Sequence, residues 1–221
     1  VAIADGGDCV VAVELLRCQP AAFGAVASDT TVWRVFKELG GVERVQMYAA
    51  ISRARERVWA DPRARVHLPR VLFVDCDATQ VECHTDKEGA SGTYKKKFGF
   101  MPMVCSLDAT REPLAVLFRE GWESPKTAAC QIETLMMGLA QLPPVAFDTK
   151  RHQIVVRLDS AGYAHKVVDM LISHGLRFLI GADMTEVCWS RIDEIPEDAW
   201  VPAIDQNGHQ REHAMVAEIP A

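Results

Sequence analysis

The chain has 221 residues, of which 49% are hydrophobic and 24% charged, and its formal net charge is −6 at pH 7. This length can bury a substantial core, in one large domain or in one and a half. The negative charge excludes a uniformly basic protein that coats DNA, although a local basic surface can still flank an acidic centre. No apolar stretch approaches the roughly 20 residues of a membrane span, so we expect no membrane association.

Seven cysteines are spread singly among apolar residues, and no two of them have C-x-x-C spacing. They are Cys9, Cys18, Cys76, Cys83, Cys105, Cys130 and Cys188. A zinc site or a disulfide framework is therefore not expected, and the pattern is typical of a cytoplasmic protein.

Residues 1–69 are predicted to form a helical N-terminal region. Asp8 is the candidate cap of a first helix that ends at Pro20, and Ser28 or Asp29 is the candidate cap of a second. A third helix is predicted over about residues 42–60 and ends before an Asp-Pro pair.

Arginines are concentrated in the later part of the third predicted helix and in the loop that follows. They are Arg53, Arg55, Arg57, Arg63, Arg65 and Arg70, opposed by Glu56 and Asp61. A basic run of this kind is most often a solvated helix face. If the partner is DNA, Arg53 and Arg57 are the first candidates for phosphate contacts.

An apolar run at residues 71–81 predicts a buried strand that carries two carboxylates near its end. Because side chains alternate along a strand, Asp75 and Asp77 share one face, while Val74 and Cys76 share the other. The two acids are about 6.6 Å apart at about 3.3 Å per residue. Like charges this close are costly unless a cation neutralises them. A pair of solvated strand-end residues remains the alternative.

The rest of the chain predicts four more strands and two helices. The predicted strands cover residues 98–107, 113–118, 154–158 and 176–180, and the helices lie on either side of the third of these. The connection at residues 108–112 is too short for a parallel crossover and predicts an antiparallel hairpin. The first helix opens at Ser124-Pro125 and ends at Pro143.

The order of three strands, helix, strand, helix, strand is that of the RNase H-like fold. In this α/β fold a mixed sheet has flanking helices, and its first and fourth strands lie side by side. We predict such a core over residues 70–195. Asp159 follows the fourth strand, where α/β sheets place functional groups. Asp77 and Asp159 would then meet across adjacent strands and hold a divalent metal.

Seven short motifs follow one another along nearly the whole chain. They are Ala2-Ile3-Ala4-Asp5-Gly6-Gly7-Asp8, Val74-Asp75-Cys76-Asp77-Ala78-Thr79, Lys96-Lys97-Phe98-Gly99-Phe100, Glu112-Pro113-Leu114-Ala115, Thr127-Ala128-Ala129, Arg157-Leu158-Asp159-Ser160-Ala161-Gly162 and Pro196-Glu197-Asp198-Ala199-Trp200. Their order and spacing resemble those of DDE-type transposases of bacterial insertion sequences.

The resemblance implies DNA transposition, with metal-dependent phosphodiester cleavage and strand transfer at the ends of an insertion sequence. The first two acids of the catalytic triad map onto Asp77 and Asp159. Asp75 is a further candidate metal ligand whose role the resemblance does not settle. The expected cofactor is Mg²⁺, two ions in the complete site, since this hard cation prefers oxygen ligands. The expected partners are transposon-end and target DNA and, for the full-length protein, a second copy in a homodimer.

Three consecutive lysines, Lys95, Lys96 and Lys97, precede the predicted strand at residues 98–107. They are candidates to neutralise backbone phosphates near the cut. A solvated approach to a strand is an equally good interpretation of such a run.

This chain departs from the pattern of the family at the third catalytic acid. It is a Glu within a signature of Tyr, two residues, Arg, three residues, Glu, six residues and Lys, which this chain lacks; Lys166 follows Tyr163 instead. Glu186 is the first residue to test in its place. Residues 196–221, with a hairpin turn at Asn207-Gly208, resemble the start of the β-rich insertion that precedes this Glu. We therefore expect a fragment that is inactive by itself, and the absence of an initial Met agrees with this.

Two other interpretations stay open. Residues 73–81 also resemble the Asp-x-Asp-x-Thr loop of haloacid-dehalogenase-like phosphatases, in which Asp75 would be the nucleophile and Asp77 the acid/base. The predicted antiparallel hairpin opposes this, because that fold needs parallel crossovers. Alternatively, the chain is a catalytically dead remnant that binds DNA or nothing.

Overall fold

The computed structural model describes residues 2, 6–7 and 9–219. The predicted cap Asp8 and most of the first motif lie outside the described residues. None of the described helices combines the length and the apolar character needed to cross a membrane.

The described residues of the N-terminal part form four α-helices: α1 (Val13–Arg17), α2 (Pro20–Phe23), α3 (Asp29–Glu38) and α4 (Gly41–Ala60). Ser28 caps α3 as predicted, because its hydroxyl accepts a hydrogen bond from the Thr31 backbone N–H at 3.3 Å. Pro20 was expected to end a helix, but it begins α2. Proline is tolerated at the first helical position, where the backbone N–H has no partner to lose.

Ten strands and three further helices follow between residues 61 and 219. They are β1 (Val71–Ala78), β2 (Val81–Glu82), β3 (Ser91–Gly92), β4 (Phe98–Phe100), β5 (Met103–Leu107), β6 (Glu112–Leu117), α5 (Ala128–Leu139), β7 (Gln153–Leu158), α6 (His165–Ser173), β8 (Arg177–Ile180), α7 (Glu186–Asp193), β9 (Val201–Ile204) and β10 (Gln210–Val216). Short 3-10 turns lie at Val10–Ala12, Pro62–Ala64, Pro144–Phe147, Ser160–Gly162 and Glu197–Ala199.

The main sheet has five strands in the order β6-β5-β1-β7-β8. β5 runs antiparallel to both β1 and β6, whereas β7 runs parallel to both β1 and β8. The first and fourth strands of the core are therefore neighbours. This order and these directions are those of the RNase H-like fold, which confirms the predicted mixed sheet with flanking helices.

The core lies between this sheet and helices α5 and α6. Along β1 the side chains alternate as predicted, so that Leu72, Val74 and Cys76 are buried on the core face. Leu135 of α5 and Leu171 of α6 are both 0% exposed within the same cluster. Replacing either leucine by alanine would lower the free energy of unfolding by roughly 2–5 kcal/mol. The two acids of β1 therefore lie on the face of the strand opposite to this core.

The strand predicted over residues 98–107 is divided into β4 and β5. Pro102 lies at the break and has no N–H to donate, while its carbonyl accepts from the Thr79 backbone N–H at 2.9 Å. The Met101 N–H turns instead to the Arg119 carbonyl at 3.2 Å. β4 consequently leaves the main sheet and pairs with β2 and β3 in a small sheet of its own.

The C-terminal segment forms the predicted hairpin. β9 and β10 pair antiparallel, and the turn between them contains Asn207 and Gly208, the latter with φ of +83°. The Asp205 backbone N–H closes the loop by donating to the His209 carbonyl at 2.7 Å. The domain boundaries at residues 69–70 and 195–196 stay predictions.

Candidate active site

The two acids predicted to be catalytic lie at the same edge of the main sheet. β1 and β7 are parallel neighbours, and Asp75 is in register with Arg157. Asp77 and Asp159 each lie two residues beyond this last pair, Asp77 still within β1 and Asp159 directly after β7. Both acids are exposed to solvent. The strand order therefore brings Asp77 and Asp159 together, as the sequence predicted, while the predicted separation of their carboxylates stays a prediction.

The charges of the two acids interact. Partial desolvation is the main cause that raises the pKa of the Asp77 carboxyl above its usual range, and the negative charge of Asp159 acts in the same direction. A hydrogen bond from the Ala78 backbone N–H and the charge of Lys95 oppose these effects without cancelling them. Asp77 therefore lies in a place where a second negative charge is unfavourable and a cation would be favoured.

A short turn fixes the position of Asp159. Its carboxylate oxygen Oδ1 accepts a hydrogen bond from the Ala161 backbone N–H at 3.0 Å and so caps the 3-10 turn Ser160–Gly162. Close packing requires two glycines around this turn. A Cβ on Gly162 would lie 2.6 Å from Leu158 Cβ, and one on Gly181 would lie 2.9 Å from the Ser160 nitrogen. The turn is therefore packed closely against Leu158, at the end of β7, and against Gly181, directly after β8.

Asp75 has a different environment from Asp77. Arg157, directly across on β7, donates from Nε to Asp75 Oδ1 at 2.7 Å and from Nη2 to Asp75 Oδ2 at 2.8 Å. Arg157 also lies 3.5 Å from Asp108 Oδ1, and its guanidinium carbon lies 5.0 Å from the centre of the Phe73 ring. A bidentate pair of this kind neutralises the carboxylate. The structure therefore does not leave Asp75 free as the third metal ligand that the sequence suggested.

The residues fit a divalent metal only in part. Asp77 and Asp159 offer oxygen ligands, and their mutual repulsion is the electrostatic situation that a cation relieves. Within the described part of the chain, however, no group of three or more His, Cys, Asp or Glu side chains is placed to hold a metal ion. The described residues thus supply two carboxylates of such a site and no third.

Glu186, the first substitute for the third acid, begins α7 and is exposed to solvent. Thr185 caps this helix by accepting from the Cys188 backbone N–H at 3.3 Å. Glu186 is the acidic residue of the first turn of α7, a position that a helix dipole favours without any functional role.

The three lysines lie in a tight turn between β3 and β4. The Thr93 N–H donates to the Lys97 carbonyl at 2.7 Å, and Lys96 has a positive φ of 59°. Lys97 Nζ is 3.4 Å from Glu82 Oε2, so part of its charge is already balanced. The Lys95 charge acts on the Asp77 carboxyl, and its Nζ lies 5.5 Å from the centre of the Tyr94 ring. Lys95 is therefore the lysine of this group that acts electrostatically on the candidate site.

The arginines of α4 divide into two classes. Arg53 and Arg57 are exposed, as expected of a surface that contacts phosphates. Arg55 is only 8% exposed. Its Nη1 donates to the Gln141 carbonyl at 3.0 Å and its Nη2 to the Pro113 carbonyl at 3.2 Å. The basic run therefore contains one residue that docks α4 on the core.

The ion pair between Arg157 and Asp75 was not predicted from the sequence, although Arg157 is part of one of the seven motifs. The available signal was parity, because Arg157 is two residues before Asp159 and so shares its face of the strand. Sequence reasoning also missed the buried Arg119, whose Nε donates to the Met101 carbonyl at 2.9 Å and whose Nη1 donates to the Ser124 carbonyl at 2.9 Å. No pattern distinguished Arg119 from an ordinary residue at the end of a strand.

The phosphatase interpretation does not agree with this geometry. That fold would place parallel strands on both sides of the strand that carries Asp75, whereas β5 pairs antiparallel with β1. The proposed nucleophile Asp75 is also held by Arg157 through both carboxylate oxygens.

The chain is similar to known proteins both in sequence and in structure. The family model of the transposase DDE domain group 1 matches residues 1–218. No curated protein sequence matches the chain.

Several solved structures are similar at low identity. The catalytic domain of Mos1 mariner transposase is 14% identical over 67% of this chain and 65% of that chain, with a TM-score of 0.34. The HTLV-2 integrase catalytic core domain, in a complex with magnesium, is 13% identical over 60% of this chain and 70% of that chain, with a TM-score of 0.32. The Mos1 mariner paired end complex with Mn is 14% identical over 87% and 68%, with a TM-score of 0.33.

The chain spans between 53% and 70% of the lengths of eight solved chains that it matches. At such identities and TM-scores, only the family model assigns the family. Because that model covers residues 1–218 of the 221, the chain belongs to the family of transposase DDE domains.

Proposed function

We propose that Asp77 and Asp159 are two catalytic carboxylates of a metal-dependent reaction that cleaves DNA at the ends of an insertion sequence and transfers the strands. One observation carries the proposal. Asp77 lies near the end of β1 and Asp159 directly after its parallel neighbour β7, and the charge of Asp159 helps to raise the pKa of Asp77. Membership in the DDE transposase family supports the same reaction.

Mg²⁺, two ions in the complete site, would supply the activation of the attacking water or 3′ hydroxyl and the stabilisation of the leaving oxygen. Asp77 and Asp159 would hold the metal through their carboxylate oxygens. The Ala161 N–H orients the Asp159 carboxylate, and Arg157 keeps Asp75 away from the pair. Lys95 would reduce the repulsion between the acids and an approaching phosphate.

The partners we propose are transposon-end and target DNA, with a homodimer of the full-length protein in the cytoplasm. Lys95, Lys96, Lys97, Arg53 and Arg57 would contact phosphates. Exposed side chains at Arg53 and Arg57, and the action of Lys95 on Asp77, support this assignment. Such contacts give affinity without sequence preference.

We further propose that the 221 residues are nearly inactive by themselves. Two carboxylates hold one ion loosely, and stabilisation at the leaving-group side is usually worth several kcal/mol of the barrier. The described residues contain no three-acid cluster, which supports this proposal. The same observation supports a second candidate function, that of a catalytically dead remnant that binds DNA.

Cleavage of transposon-end DNA with Mg²⁺ or Mn²⁺ tests both candidates. We expect no detectable cut by the 221 residues, and a clear cut by a protein continued through any coding sequence that follows Ala221. Asp77→Asn and Asp159→Asn should each reduce that cleavage at least about 100-fold, because each removes a metal ligand. Asp108→Asn, an exposed acid near Arg157, is the control and should retain activity.

Efficient cutting by the 221 residues would show that a third acid is present, and Glu186→Gln would then be the next variant. Cutting by the continued protein that does not depend on Asp159 would overturn the site. A continued protein that binds DNA without cutting it would establish the remnant.

A further inference from the structure

Gln131 is a buried polar side chain in the first turns of α5, and it is only 3% exposed. Its Nε2 donates two hydrogen bonds, each of 2.9 Å, one to the Pro125 carbonyl and one to the Ala161 carbonyl. These two acceptors are far apart in the sequence. One side-chain amide therefore ties together two separate segments of the chain.

The orientation of this amide is fixed by its partners. Both neighbours are carbonyl oxygens, which only accept hydrogen bonds, so the nitrogen of the amide must face them. The other end of the amide, Oε1, is buried and has no hydrogen-bond partner among the described residues. An unpaired buried oxygen destabilises a fold, and an apolar side chain would avoid that cost. What Gln131 contributes is therefore its pair of N–H donors.

Both segments belong to the edge of the sheet that carries the acids. Ala161 is the residue whose backbone N–H donates to Asp159 Oδ1 at 3.0 Å. The turn is thus held by Asp159 through the N–H of Ala161 and by Gln131 through its carbonyl. Rotation of this turn would move the Asp159 carboxylate, because the carboxylate is its cap.

Pro125 lies in the loop that follows β6. The last residue of β6, Leu117, is in register with Met103, which is in register with Ala78, the neighbour of Asp77. The loop therefore leaves the sheet on the same side as the acids. Arg119, a buried residue near the start of this loop, donates a hydrogen bond to the Ser124 carbonyl. Gln131 donates to the carbonyl of the next residue, Pro125.

We propose that Gln131 is a positioning residue for Asp159. By bonding both segments, Gln131 clamps the turn that follows Asp159 to the loop after β6. The proposal rests on the proposed function only for the consequence in metal binding. The clamp itself is a statement about the turn and can be tested without metal.

The test replaces Gln131 by Met, which has a similar length but no donor. The first measurement is hydrogen exchange of the Ala161 amide by NMR. We expect exchange at least about 10-fold faster in Gln131→Met, because loss of the clamp lets the turn open more often. The second measurement is the affinity for Mn²⁺, followed by the EPR signal of the free ion. Outer residues that orient metal ligands typically change affinity 10- to 100-fold, and we expect a loss in that range.

Gln141 provides the matched control. It lies just after α5, is 4% exposed, and its Oε1 also lacks a partner among the described residues. Gln141→Met should leave both Ala161 exchange and Mn²⁺ affinity within about twofold of the wild type, because Gln141 lies beyond the C-terminal end of α5, whereas Gln131 lies in the first turn of this helix. Gln131→Asn, which keeps the amide but cannot span both carbonyls, should resemble Gln131→Met.

The outcomes separate the inference from the proposed function. Wild-type protein that does not bind Mn²⁺ would contradict the proposed function, while Ala161 exchange would still decide the clamp. Unchanged exchange and affinity in Gln131→Met would overturn the inference and leave the proposed function intact. Failure of both Gln131 variants to fold, with a folded Gln141→Met, would also overturn it, since the amide would then be needed for the fold as a whole.

Discussion

Arg157 grips Asp75 through both carboxylate oxygens, at 2.7 and 2.8 Å, and thereby separates the roles of the two acids of β1. Asp75 has its countercharge within the protein. Asp77, two residues further along on the same face, has a raised pKa, to which the charge of Asp159 contributes after partial desolvation. On this face of β1, the carboxylate of Asp75 is therefore neutralised by Arg157, whereas the carboxylate of Asp77 can bind a cation.

Asp75→Asn is expected to affect stability and to leave metal binding unchanged. The ion pair is partly exposed, with side-chain exposures of 41% for Arg157 and 28% for Asp75, so solvent screens it. We therefore expect a loss of about 1 kcal/mol in the free energy of unfolding. Urea denaturation measures this loss, and Mn²⁺ titration checks the site. A loss of Mn²⁺ affinity as large as that of Asp77→Asn would show that Asp75 is a ligand.

Arg55→Ala is expected to destabilise the protein by about 3 kcal/mol, because it removes the donor to the buried Gln141 carbonyl and the donor to the Pro113 carbonyl, which is partly buried. It also removes the cation 3.4 Å from Glu112 Oε1. Arg57→Ala, two residues along the same helix and exposed, should cost less than about 0.5 kcal/mol. Thermal unfolding of the two variants compares them directly. Equal destabilisation would mean that α4 does not dock through Arg55.

The sequence predicted where Asp77 and Asp159 lie in the sheet, while their catalytic role stays a prediction. The period of two in β1 sorted Val74 and Cys76 from the acids, and the order of the strands paired Asp77 with Asp159. The Arg157 grip on Asp75 was not predicted, since it depends on the register between two strands 82 positions apart in the sequence. Burial of Arg55 was hidden for a similar reason. Charge runs indicate a surface, and only the packed structure shows which member turns inward.

Asp77→Asn is expected to stabilise the protein at neutral pH. The folded state raises the pKa of Asp77, so ionisation of this group costs folding free energy above the folded-state pKa. The cost is absent below the unfolded-state pKa of about 3.9. Because the side chain is exposed and screened, we expect a gain on the order of 0.5 kcal/mol at pH 7 that disappears below about pH 4. Urea denaturation across this pH range measures it, and a gain that persists in acid would contradict the linkage.

Lys95→Met is expected to weaken DNA binding more than Lys97→Met. Lys95 acts on the candidate site, whereas Lys97 is partly balanced by Glu82. Titration of a non-specific duplex at several salt concentrations requires no knowledge of the terminal repeats. Each phosphate contact that is lost should reduce the slope of log K against log salt by about 0.9. Slopes that change equally in the two variants would remove the distinction between these lysines.

The pairing of Asp77 with Asp159 is tested most directly by Mn²⁺-induced broadening of backbone amide signals in NMR spectra. We predict selective broadening at the ends of β1 and β7 in the wild type, where two oxygen ligands converge. The broadening should disappear in both Asp77→Asn and Asp159→Asn and persist in Asp108→Asn. Broadening elsewhere, or broadening at this edge that survives Asp159→Asn, would contradict the site.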